Sequence, residues 1–356
     1  VSRSCGSWAP RARVSSSRNS TDISNEVSEL PLTVGDKGPA VEDLHRRLLA
    51  QGLPVTGEDG AFGRETEQAV RAFQARRGIV VDGICGRSTW ERLVEAGYRL
   101  GDRLLYMRRR AYLRGDDVVD LQRRLNSLGF DAGRVDGIFG VDTDRALREF
   151  QRNAGLALDG ICGPKTVTSL QRLRSKGPDS DPNALRESVR FAAVPATLRG
   201  RKVALCERGG LAPLLREVQH TLTGYGADVT LLSHPDDSNL AAQANLSGAE
   251  VCLRVALSPA GHACRAAYYG AHGTVSPAGR RLAGLLLDEL SISGAGIDGP
   301  PVPMATSILR ETRKDLPAVA LDLGPARFVV ERATIAAAAI GRGLSRWADG
   351  PCLDLS

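Results

Sequence analysis

Aromatic residues are scarce: Phe, Trp and Tyr together make up 4% of the 356 residues. That argues against a carbohydrate platform of stacked tryptophans. Histidine is scarcer still, at five residues, and none stands in an H-x-E or HExxH spacing that would build a zinc site on one helix. The seven cysteines are an odd, scattered set with no CxxC pair. Zinc knuckles and a disulfide scaffold are therefore poor readings, and reduced, mostly buried thiols are expected. No apolar run reaches the roughly 18 residues of a transmembrane helix. The first residues lack the apolar core of a secretory signal. Both absences lead to an expected cytoplasmic location, with membrane association only through partners. The net charge of +6 favours anionic partners. However, the densest basic run is only Arg108-Arg109-Arg110, and no basic block alternates with aromatics, so nucleic acid has no motif behind it.

Hydrophobic content of 42% and charged content of 25% allow an ordinary core. The length implies two or three domains. Residues 1–30 are rich in Ser and Arg and are expected to be disordered. An internal repeat follows, and it is the strongest signal. DGICG occurs at Asp82–Gly86 and at Asp159–Gly163, 77 positions later. DGAFG at Asp59–Gly63 and DGIFG at Asp136–Gly140 keep that offset, as do Phe73-Gln74 and Phe150-Gln151. In each copy Val41, Leu44 and Leu48 (Val118, Leu121 and Leu125) form an i, i+3, i+7 stripe and predict an amphipathic helix. Gly52 and Gly129 stand where a helix would stop. Phe62 and Phe139 are expected core plugs. Thr66 and Thr143 open a second helix, and a third runs to Leu93 and Leu170. Each copy therefore reads as a three-helix unit.

The pattern G-x-x-V-x-x-L … DGxFG-x-x-T-x-x-A-x-x-x-FQ … DGxxG-x-x-T closely resembles the peptidoglycan-binding-like domain, over residues 35–95 and 112–172. The resemblance implies modules that bind muropeptide or glycan, with a structural spacer as the plainer alternative. The polar candidates for ligand contact are Asp82, Arg87 and Thr89 in the first copy and Asp159, Lys165 and Thr166 in the second.

Beyond a Pro-containing linker the pattern changes. Val203–Cys206, Ala227–Leu232, Val251–Leu257, Ala266–Tyr269 and Ala318–Leu323 read as strands. Helices are predicted through Leu214–Leu222, from Ser276-Pro277 to Leu290, and over Phe328–Trp347. This alternation predicts an α/β domain with a mostly parallel sheet covered on both faces.

The order of elements resembles the zinc-dependent N-acetylmuramoyl-L-alanine amidases, which cleave the MurNAc–L-Ala amide. Three segments carry the likeness: Leu205–Gly210 for the family's D-P-G-H-G-G turn, Ala249–Ala256 for A-D-x-x-x-S-x-H, and Pro317–Pro325 for P-A-V-L-V-E-x-G-F. The resemblance implies two His and one Glu on zinc, with a second Glu as general acid/base. At the first His position stands Arg208, which has no lone pair for a metal. At the second stands Ala256. The segment for the ligand Glu is cut to Leu211-Ala212-Pro213, with Glu217 too far into the helix. Asp322 replaces the catalytic Glu, one methylene shorter. His262 and His272 lie out of register. On this reading the catalytic positions Arg208, Ala256 and Asp322 are degenerate, no metal or cofactor is expected, and zinc enters only if the site works with relocated ligands. Arg208 is expected to pair with Asp322 and, with Arg254, to leave a crevice for an anionic ligand.

The layout is similar to that of actinobacterial pseudo-amidases. That resemblance implies a regulator of peptidoglycan precursor synthesis, acting through contact with a precursor-synthesis enzyme and with a Ser/Thr kinase, for which Ser15–Ser28 offers hydroxyls. The alternatives are an active zinc amidase and an exported wall-bound structural protein. The expected organisation is a disordered 1–30, modules over 31–96 and 112–174 joined by a connector 97–111, a linker 175–200, the amidase-like domain 201–348 and a tail 349–356.

Overall fold

A computed structural model describes residues 30–56, 60–108, 111–173, 197–258 and 263–350. Nearly all of the expected disordered segment 1–30, most of the linker 175–200, His262 and the end of the tail lie outside the described residues.

Both repeats are three-helix modules. The first comprises α1 (Pro39–Ala50), α2 (Arg64–Arg77) and α3 (Arg87–Glu95); the second, α4 (Asp116–Ser127), α5 (Val141–Asn153) and α6 (Pro164–Arg172). The predicted stripes Val41, Leu44, Leu48 and Val118, Leu121, Leu125 are buried at 1% exposure or less. Phe62 and Phe139 close the two cores, joined by Phe73 and Phe150. Gly52 and Gly129 end the first helices with φ of 71° and 93°, a left-handed backbone that a side chain would strain.

The second half of each Phe-Gln pair ties the module's loops together. Gln74 Nε2 donates to Asp82 Oδ1 (2.7 Å) and to the Ile84 carbonyl (2.9 Å), while its Oε1 accepts from Gly83 N at 2.9 Å. Gln151 repeats this with Asp159, Ile161 and Gly160. In the second module Gln122 braces the other loop in the same way, through Asp136, Ile138 and Gly137. The matching position of the first module is His45, which meets Thr66 Oγ1 at 2.9 Å.

The third domain runs β1 (Lys202–Glu207), α7 (Ala212–Gly224), β2 (Asp228–Ser233), α8 (Asp237–Leu246), β3 (Val251–Leu257), β4 (Arg265–Ala271), β5 (Thr274–Val275), α9 (Pro277–Ile292), β6 (Val302–Met304), α10 (Ser307–Glu311), β7 (Ala318–Leu323), α11 (Ala326–Glu331) and α12 (Ala333–Ala348). The sheet order is β2-β1-β3-β7-β4, with β5 and β6 both pairing with β4. β2, β1, β3 and β7 are parallel, and β4 is antiparallel to β7. The sheet is thus mostly parallel, as expected.

Alternation along the strands sorts residues between two unequal faces. Val203 and Leu205, Val251, Leu253 and Val255, and Val319 and Leu321 pack under α7, α9 and α12 in a large apolar core. Ala204 and Cys206, Cys252, and Ala318 and Ala320 face a thinner core with Leu240 of α8 and Ile308 and Leu309 of α10.

Two expectations are corrected. The predicted helix Phe328–Trp347 is two helices, broken at Arg332, whose φ of −127° and ψ of 32° are not helical. Phe328 and Ala336 enter the same core, so the apolar pattern runs through the break without marking it. Helices α8 and α10 were not foreseen. α8 buries only Leu240, Ala241 and Ala244, too little large apolar surface to print a stripe, and α10 spans five residues.

Candidate functional site

The candidate site lies at the carboxyl ends of β1, β3 and β7, on the thin face. Strand alternation sends Arg254 and Asp322 to that face, together with Ala256, which is in register with Asp322. Arg254 is 8% exposed, and its Nη1 holds Asp322 Oδ1 at 2.6 Å. Its Nε is buried without a hydrogen-bond partner, and so is Oδ1 of Asp237 at the start of α8. Burial pushes the Asp237 carboxyl above its ordinary range, against the pull of Arg254 and Arg208. α8 itself begins here because Asp236 caps it, accepting from Ser238 N and Asn239 N.

The turn after β1 is arranged differently from expectation. Glu207 is 5% exposed, and its Oε2 accepts from Leu211 N at 2.6 Å. It therefore fastens the turn to the start of α7. Gly209 and Gly210 take φ of 118° and 90°, which side chains rarely adopt. Arg208 is exposed, and its Nε donates to the Pro235 carbonyl at 3.1 Å. The expected Arg208–Asp322 pair is therefore wrong: Arg254 holds Asp322. The reason is register, because Arg254 lies two positions before Ala256 on the strand beside Asp322.

The donor set does not suit zinc. Zinc takes thiolate, imidazole and carboxylate donors, and here the carboxylate of Asp322 is already neutralised by a guanidinium. Among the described residues no group of three or more His, Cys, Asp or Glu gathers as a metal ion would require. His220 and Glu217 are exposed on α7. His234 Nδ1 accepts from Asp236 N at 3.0 Å. His272 lies in the β4–β5 turn with φ of 54°, and desolvation holds its imidazole down at about 4.

In the modules, Asp82, Thr89 and Asp159 are partners of the loop-bracing glutamines or loop amides. Thr166 Oγ1 donates to the Ile161 carbonyl at 3.4 Å. These four serve the loops' own geometry. Arg87 is exposed and pairs with Glu91 at 3.0 Å, and Lys165 is exposed on the first turn of α6. Asp237 and Ser238 were missed, although His234-Pro235-Asp236-Asp237-Ser238 carries a helix-capping signal that would have drawn attention to them.

Paired DG loops ahead of a mostly parallel α/β domain define a protein with two peptidoglycan-binding modules and an amidase-like domain. Residues 37–93 and 114–170 match the family described as "Putative peptidoglycan binding domain". The chain is 37% identical over 333 residues, 82% of its length and 81% of the relative's, to N-acetylmuramoyl-L-alanine amidase CwlM of Mycobacterium tuberculosis. It therefore belongs to the CwlM family of N-acetylmuramoyl-L-alanine amidases. It is also 34% identical over 181 residues to N-acetylmuramoyl-L-alanine amidase CwlL of Bacillus licheniformis, covering 45% of this chain and 50% of that relative. A solved N-acetylmuramoyl-L-alanine amidase from Clostridium difficile 630 aligns with a TM-score of 0.35 at 16% identity, over 43% of this chain and 98% of that one.

Proposed function

We propose that this family member binds peptidoglycan fragments or precursors without hydrolysing them, and regulates precursor synthesis through protein contacts in the cytoplasm. The observation that carries the reading is the Arg254–Asp322 ion pair at the strand ends. An arginine that occupies this carboxylate ties up the group at the general acid/base position and supplies a fixed positive charge beside it. Ala256 beside it offers no donor. Arg208 and Arg254 then attract the carboxylates of a muropeptide, while the modules add contacts through exposed Arg87 and Lys165. The regulatory part rests on the likeness to pseudo-amidases. Its proposed partners are a precursor-synthesis enzyme and a Ser/Thr kinase acting on Ser15–Ser28, which lies outside the described residues.

The names of the relatives favour a second reading, an active zinc amidase that hydrolyses the MurNAc–L-Ala amide. The two separate in one experiment. Purified protein is incubated with muropeptides, binding is measured by calorimetry, and released L-Ala peptides are measured by mass spectrometry. Binding without release supports the first reading, and stoichiometric turnover with zinc supports the second. Pull-down from an actinobacterial lysate, with and without phosphatase, tests the regulatory part: capture of wall fragments and no biosynthetic enzyme would end it.

A further inference from the structure

The two modules share a fold and a motif, yet they meet the amidase-like domain through different faces. Both meet one segment, Met304–Lys314, centred on α10, and the second module also meets β4 and its turn, where Tyr269 Oη donates to the Val135 carbonyl at 3.0 Å and Arg123 Nη2 to the His272 carbonyl at 3.1 Å. From the first module, the carbonyl of Gly78 accepts from Ala305 N at 2.6 Å and Arg92 Nη2 donates to the Ala305 carbonyl at 3.0 Å. Glu95 holds Arg310 Nη1 at 2.9 Å. From the second module, Arg114 grips both carboxylate oxygens of Glu311, one of them at 2.8 Å. Arg134 Nη1 donates to the Leu309 carbonyl at 3.2 Å and its guanidinium lies 4.4 Å from the Tyr269 ring. Arg310, 4% exposed, reaches the second module as well: its Nε donates to the Asp136 carbonyl at 2.6 Å. Arg77 of the first module and Asp116 of the second join at 2.8 Å beside this junction.

The docking residues are where the repeats differ. At the positions matching Arg77, Arg92 and Glu95, the second copy has Ala154, Ser169 and Arg172. At the positions matching Arg114 and Arg134, the first copy has Lys37 and Gly57. The Phe-Gln pair and the DG dipeptides that build the loops are the same in both. A buried, bidentate arginine contact is geometrically selective and costly to leave half-made. The second copy placed in the first's seat would lack both arginines there and would bring Arg172 against Arg310, and the first copy placed in the second's seat would offer Lys37, which cannot grip Glu311 with a planar fork, and nothing for Arg134.

We propose that the α10 segment is an interaction surface addressed by two diverged modules of the same chain, each fitted to one seat, so that the three domains work as a single docked body. Ligand binding and docking thus divide the surface of each module. Linked domains move relative to one another by default unless their interface is large and hydrophobic; here buried and half-buried arginines paired with carboxylates and carbonyls take that part, and breaking one leaves its partner unpaired.

The test uses the full chain. Hydrogen exchange of the α10 amides and the radius of gyration from small-angle scattering are compared for wild type, Arg114→Glu, Glu311→Arg and the combined exchange. Each single reversal is expected to speed α10 exchange by about tenfold or more and to enlarge the particle, and the combination is expected to restore both. Wild-type values in both singles, or a combination no better than the worse single, would overturn the proposal. If Arg114→Glu unfolds its own module, seen as lost protection in α4–α6, Glu311→Gln replaces it, with faster α10 exchange expected and unchanged exchange contradicting. The addressing claim has its own variant. Arg92→Ser with Glu95→Arg gives the first module the second's residues, and the Ala305 amide should lose protection. Full protection there would contradict it.

Discussion

In the modules the motif is the fold. Gly83, Asp82 and Gln74 appear in the sequence pattern because they close a loop onto a helix, and the structure finds them bonded to one another. In the third domain the strands and their order are kept, but the residues at their ends carry different chemistry, an arginine–aspartate pair beside an alanine. Motif residues that build a fold are held by many contacts at once. Residues that only serve chemistry are held by few, and they change without disturbing the sheet. A motif match therefore says more about the modules' architecture than about the third domain's activity.

The largest effect should come from breaking the first half of that contrast. Gln151→Leu leaves Asp159, the Ile161 carbonyl and Gly160 N without their amide partner. Unmaking buried bonds of this kind is expected to cost about 3 kcal/mol, read as earlier unfolding of the second module in denaturant, with Gln74→Leu doing the same to the first. Next is Arg254→Leu. It strands Asp322, whose side chain is 29% exposed, so the loss should be smaller, about 2 kcal/mol, below the usual range for a fully buried pair. Arg254→Leu with Asp322→Leu should recover most of it by thermal melting, which would sharpen the view that the pair is replaceable without harm to the fold.

A third prediction concerns pH. His272 is held near 4 by desolvation, with Arg77, Arg123 and Arg92 adding to the depression and Asp116 opposing it. Its folded value lies below the ordinary 6.5, so the unfolded state binds more protons in between. Stability is full above about 6.5, falls as pH drops, and levels off below about 4. His272→Gln should flatten that window in melts across pH. The smallest effect is Arg208→Ala. The side chain is exposed, so stability should change by less than about 0.5 kcal/mol, while calorimetry should show weaker muropeptide binding.

Much of this was legible before the structure. The repeat, the glycine stops and the buried Phe pairs followed from spacing alone, because period and turn chemistry are local properties. The five strands were placed to within two residues for the same reason, with Val251–Leu257 and Ala318–Leu323 matched at both ends. The pairing at the site was not. Arg208 was expected to hold Asp322, and the register of β3 on β7 gives that place to Arg254. α10 was invisible because five residues hold no period, although it carries the contacts to both modules. The role of Glu207 shows only in three dimensions, where its bond to Leu211 N fastens a turn.

The central claim is that the strand-end site has exchanged its metal chemistry for an ion pair. Metal analysis of the purified full chain, after equilibration with excess zinc and removal of the unbound ion, tests it most directly. The account predicts no bound zinc; one zinc per chain would contradict it.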